Sequence, residues 1–118
     1  MKWLNLVSPE NYLAAETYLT LKLNQSKAEK AVDHLRAAPV ITLRVNDILR
    51  ASGYTSLSKK DPGVKRELEA ETTNAVLLVS YDFGDDIADG FHRICAAYTI
   101  DPFMEIPAKI TYIGDKEN

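Results

Sequence analysis

The segment Asp85-Asp86-Ile87-Ala88-Asp89-Gly90-Phe91-His92-Arg93-Ile94-Cys95-Ala96-Ala97 constrains the fold more than any other part of this chain. A short extended piece, Ile87-Ala88, runs into an Asp-Gly turn and then into small and apolar residues that suit a tightly packed helix. Gly90 allows a sharp strand-to-helix turn and a close approach of backbone to a ligand. The first N–H groups of the new helix then point outward beside the Arg93 guanidinium. That combination is a recipe for an anion or phosphate site.

The flanking segments supply the rest of a sheet. Val76-Leu77-Leu78-Val79 is continuously apolar and reads as a buried strand, followed by a turn from Tyr81 to Asp85 that carries Gly84. After the helix, Asp101-Pro102 breaks the chain, and residues 105–113 resume as a strand with Ile106, Ala108 and Ile110 on one face. Upstream, residues 39–45 form a further strand, followed by Asn46-Asp47-Ile48-Leu49. Residues 53–63 are the longest loop candidate, and Asp61-Pro62 caps and starts a helix expected to run through Glu71.

The first 38 residues read as a helical extension. Ser8 is an N-cap with Pro9 at the first helical position, and Tyr12, Ala15, Leu19 and Leu23 follow at helical spacing. Asn24-Gln25 interrupts. Ser26 with Glu29 predicts a capping box for a second helix carrying Ala28, Ala31, Val32 and Leu35, which Pro39 ends. This hairpin is expected to pack on the sheet. Tyr12, Tyr18 and Leu21 do not fit one face, which leaves residues 8–38 as a candidate protein-binding surface.

The 118 residues are expected to form one domain of the α+β class, a small mixed sheet with packed helices behind the N-terminal hairpin. The organisation expected is 1–38 as extension, 39–113 as core and 114–118 as a polar, frayed tail. The apolar runs are too short for a membrane helix, and Met1-Lys2-Trp3-Leu4-Asn5-Leu6-Val7 lacks a small-residue cleavage site. With one cysteine there is no disulfide framework, so a cytoplasmic protein is expected. A net charge of −3 opposes nucleic-acid binding, which needs a basic surface to displace counterions from phosphates. DNA binding and nuclease activity are therefore the weakest functional readings.

The order of these elements, with "V-N-D-I-L", "V-L-L-V", "A-D-G-F-H-R-I-C-A-A-Y" and "I-P-A-K-I", resembles the ParB/sulfiredoxin superfamily over residues 39–113. The resemblance implies that fold and a phosphate-binding loop of the form D-G-x-H-R at Asp89–Arg93. Sulfiredoxins carry a catalytic cysteine between the glycine and the histidine, where this chain has Phe91, so sulfiredoxin chemistry is not expected. ParB proteins add a helix-turn-helix and a dimerisation region, for which this chain has no residues to spare. Free-serine kinases of the superfamily share the loop and use a glutamate base from an earlier segment; no such glutamate can be placed among Glu67, Glu69 and Glu71, which fall on a helix.

The site residues follow from the loop. Gly90, Phe91 and Arg93 are expected to bind the phosphates of a nucleoside triphosphate, ATP or CTP, with Mg²⁺ as a candidate companion. The plainer role for Arg93 is a surface pair with Asp85, Asp86 or Asp89. His92 is a candidate catalytic residue, donating to a phosphate or moving a proton, and equally a structural histidine. Asp89 is a second catalytic candidate that would orient the loop or hold a metal-bound nucleotide, with capping of the helix as its plainer role. Lys59 and Lys60 would assist the phosphates or simply face solvent. Asp85 and Asp86 are candidates to supply a carboxylate to Mg²⁺, with solvated turn acids as their plainer reading, and Cys95 reads as a packing residue. A nucleotide-binding protein, with NTPase or phosphotransferase activity in view, is the leading expectation; a non-catalytic interaction module is the alternative.

Overall fold

The computed structural model describes residues 1–82 and 84–114. Its elements are β1 (Lys2–Trp3), α1 (Pro9–Leu19), α2 (Gln25–Ala37), β2 (Ile41–Arg44), α3 (Val45–Ser52), α4 (Pro62–Glu69), β3 (Thr72–Thr73), β4 (Val76–Tyr81), β5 (Gly84–Asp89), α5 (Phe91–Ile100) and β6 (Glu105–Gly114). Four strands form a mixed sheet in the order β2-β6-β4-β5. β2 runs antiparallel to β6 with Ile41 opposite Ala108, and β4 runs antiparallel to β5 with Leu78 opposite Ile87. β4 and β6 are parallel, with Val76 opposite Ala108, so the chain crosses over through β5 and α5 between them.

The apolar run in β4 is explained by cover on both faces. Leu77, Val79 and Tyr81 pack against Ala15 and Leu19 of α1 and against Ala28, Ala31, Val32 and Leu35 of α2. Val76 and Leu78, on the opposite face, pack against Val45, Ile48 and Leu49 of α3 and Ile94 and Ala97 of α5, with Ile106 and Ala108 beside them. Full burial of a side chain such as Leu19 or Leu35 contributes about 1.5–3 kcal/mol, so each helix is held by its stripe rather than by propensity. α4 docks through Val64 onto Cys95 and Ala96, which accounts for the small residues of α5. At this level the α+β reading and the packing of the N-terminal hairpin on the sheet hold.

Several local expectations are corrected. Asn24, not Ser26, caps α2 by accepting from the Lys27 amide at 2.8 Å, and Ser26 lies inside the helix. Ser8 does cap α1, in a reciprocal box whose other half is Asn11. The strand read over 39–45 spans Ile41–Arg44, because Val45 turns inward as the first residue of α3. α4 stops at Glu69, two residues short of Glu71. Residues 2–3 form β1, paired in parallel with β3, where the sequence carries no periodic signal. Gly114 ends β6 rather than opening a frayed tail; 115–118 lie outside the described residues, as does Phe83 of the expected 81–85 turn. Among the described residues no helix is long and apolar enough to cross a membrane.

Candidate functional site

The junction of β5 and α5 is built from a bulge and a glycine. Leu77 pairs with Asp89 and Leu78 with Ile87, which leaves Ala88 as the extra residue of a β-bulge. Gly90 follows in the left-handed region, at φ 113° and ψ 19°. A Cβ there would lie 2.6 Å from Val76 Cγ1 and 2.9 Å from Arg93 Nη2, so the position admits glycine alone. Ile94 N closes the first intrahelical bond to the Gly90 carbonyl at 2.9 Å. The amides of Phe91, His92 and Arg93 precede that bond, and no side chain caps the helix.

Arg93 and Asp89 are paired with each other. Arg93 Nη2 donates to Asp89 Oδ2 at 3.0 Å and to the Ala75 carbonyl at 3.2 Å, with 12% and 15% of the two side chains exposed. The fork donor expected to face a phosphate is therefore an internal clamp that ties α5 and β5 to the start of β4. Asp89 likewise accepts from Arg93 and does not cap α5. Arg93 Nε is buried with no hydrogen-bond partner among the described residues.

His92 points the other way. Half of its side chain is exposed, and its Nε2 lies 3.7 Å from Asp61 Oδ1. The same carboxylate oxygen caps α4, accepting from the amides of Gly63 at 2.9 Å and Val64 at 3.1 Å. The imidazole rests on Gly63, where a Cβ would meet His92 Cδ2 at 2.4 Å. Phe91 sits between two rings, 5.4 Å from Tyr54 and 5.7 Å from His92 between centroids. Tyr18, Tyr54, Asp89, Gly90, Phe91 and His92 line a cleft of about 390 Å³ at this helix start. Lys59 and Lys60 are exposed on the turn before α4 and do not line the cleft; their neighbour Asp61 makes the contact with His92.

A second cluster escaped the sequence reading. Asp86 is 7% exposed, and its Oδ1 accepts from the hydroxyls of Tyr18 at 3.2 Å and Tyr54 at 3.3 Å. Those hydroxyls lie 3.1 Å apart, and Lys22 Nζ stands 3.9 Å from Asp86 Oδ2. Burial first, then the Tyr54 hydrogen bond and the Asp86 charge, hold the Tyr18 phenol far above its ordinary range. Burial and Asp86 do the same to Tyr81. Tyr18, which does not fit the helix stripe, carried the available signal; its partner Asp86 was read as a solvated acid. Tyr12 is also engaged, accepting from Lys109 Nζ at 2.9 Å, while Leu13 and Leu21 remain 64% and 82% exposed. Among the described residues no three His, Cys, Asp or Glu side chains converge as a metal site.

Comparison with protein-family models, with curated proteins and with solved structures finds no match for this chain.

Proposed function

We propose that this chain is a nucleotide-binding protein of ParB/sulfiredoxin-like fold, holding the phosphates of a nucleoside triphosphate at the start of α5. The reading rests on one observation. The cleft opens on the uncapped first turn of a ten-residue helix, between the rings of Tyr54 and Phe91 and the imidazole of His92. The amides and the positive end of the helix dipole favour a phosphate, and the rings offer a base a face to stack on. His92 donates to a phosphate oxygen and is the candidate for moving a proton if ATP or CTP is turned over. Arg93 and Asp89 act as positioning residues that keep the loop in place. Asp89 is the carboxylate of the cleft and is already paired, so Mg²⁺ would arrive on the phosphates rather than in a protein cage.

Thermal unfolding with ATP, CTP and GTP, each with and without Mg²⁺, tests the reading on wild type and His92→Ala. A nucleotide at about 100 times its dissociation constant should add roughly 2.7 kcal/mol and raise Tm by several degrees. His92→Ala should lose most of that shift. No shift for any nucleotide contradicts the proposal. The interaction-module alternative draws on the exposed Leu13 and Leu21 and predicts a specific protein retained through residues 8–38 that Leu21→Glu releases.

A further inference from the structure

Sharing Tyr54 with the cleft at the start of α5 is a second cavity of about 410 Å³, lined by Lys22, Arg50, Tyr54, Tyr81, Asp85 and Asp86. Its deepest charge is Asp86, a nearly buried carboxylate that requires donors or a cation to remain ionised there. Two tyrosine hydroxyls supply donors to Oδ1. The cation is Lys22, and the way it sits is informative. Its ammonium lies 3.9 Å from Asp86 Oδ2 and 5.8 Å from the centre of the Tyr18 ring. At 3.9 Å the pair is not hydrogen-bonded, and 37% of the Lys22 side chain is exposed on the turn between α1 and α2. A carboxylate beside an aromatic face is the chemistry that recognises organic ammonium ions. Arg50, the other cation of the lining, is 76% exposed and lies 3.8 Å from Asp47.

We propose that this cavity is a binding site for a primary alkylammonium group, and that Lys22 occupies it in the free protein as an internal stand-in. Tyr18 and Tyr54 also line the cleft at the start of α5, but the charges that carry this inference, Asp86 and Lys22, line this cavity and not that one, so it does not depend on the nucleotide reading.

The test titrates wild type and Lys22→Ala, both checked for folding by circular dichroism, with n-butylammonium chloride and with n-butanol as the neutral isostere. Sodium chloride at matched ionic strength controls for screening. Lys22→Ala should bind n-butylammonium saturably and about tenfold or more tighter than n-butanol, and wild type should bind it more weakly because Lys22 competes. Asp86→Asn in the Lys22→Ala background should erase the preference. Should that double variant fail to fold, the comparison of ammonium with alcohol on Lys22→Ala decides alone. A folded Lys22→Ala protein that binds n-butylammonium no better than n-butanol or salt overturns the site. Equal affinity in wild type and Lys22→Ala overturns the stand-in role of Lys22.

Discussion

Two ion pairs sit on β5 within three residues of each other, and they are built differently. Arg93–Asp89 is short, at 3.0 Å, nearly enclosed, and spans one turn from strand end to helix. Lys22–Asp86 is loose, at 3.9 Å, and joins a buried carboxylate to a lysine that remains more than a third exposed. The first has a backbone carbonyl as a further acceptor and little freedom. The second has an aromatic ring and an open cavity beside it. Enclosure, more than charge, separates a clamp from a site that a ligand can enter.

Breaking the clamp should have the largest effect. Arg93→Ala leaves Asp89 and the Ala75 carbonyl without their donor in a nearly dry setting, and should destabilise by about 3 kcal/mol in urea unfolding. Arg93→Lys, which keeps the charge but not the fork, should recover part of that loss. A cost for Arg93→Ala below about 1 kcal/mol would show that the pair behaves as a surface contact. Gly90→Ala comes next. Its strained φ and the contact with Val76 predict a loss of about 2 kcal/mol, measured in the same way.

The loose pair responds more to its tyrosines than to its lysine. Tyr18→Phe removes a donor from a buried carboxylate and should cost about 1–2 kcal/mol. Lys22→Ala should cost well under about 1 kcal/mol because water reaches the lysine. If Lys22→Ala is the more damaging of the two, the contrast between clamp and open pair fails. A pH dependence sharpens it. Tyr18 and Tyr81 hold their protons in the folded state far beyond the ordinary phenol value near 10 that they regain on unfolding. The unfolded chain therefore loses those protons first. The stability they contribute is intact below about pH 10 and falls as pH rises above it. Tyrosinate absorbance of the native protein should be the same in wild type and Tyr18→Phe, because Tyr18 ionises only when the fold is lost.

The two regions also differ in how far the sequence exposes them. The clamp region was legible because its parts are local. Asp89 and Arg93 are four residues apart, Gly90 marks the turn, and the apolar runs on either side announce a strand and a helix. What the local pattern leaves open is direction. It favours a guanidinium facing a phosphate, and the structure shows it turned to Asp89, one helical turn back, and to the Ala75 carbonyl, a partner that comes from a distant part of the sequence. The Asp86 cluster was illegible because Tyr18, Tyr54 and Asp86 come from α1, a loop and β5, and adjacency in sequence with Asp85 makes Asp86 look solvated. His92 on Gly63 is a similar case, since α4 meets α5 through tertiary packing, Val64 against Cys95 and Ala96, that no local pattern announces.

The most direct test of the nucleotide reading is a two-dimensional ¹H–¹⁵N spectrum titrated with ATP and CTP, with and without Mg²⁺. On binding, the amides of Phe91, His92 and Arg93 should shift first and saturate together, with the Tyr54 resonance following. Shifts that leave those three amides unmoved, or no shifts at all at millimolar nucleotide, would contradict it.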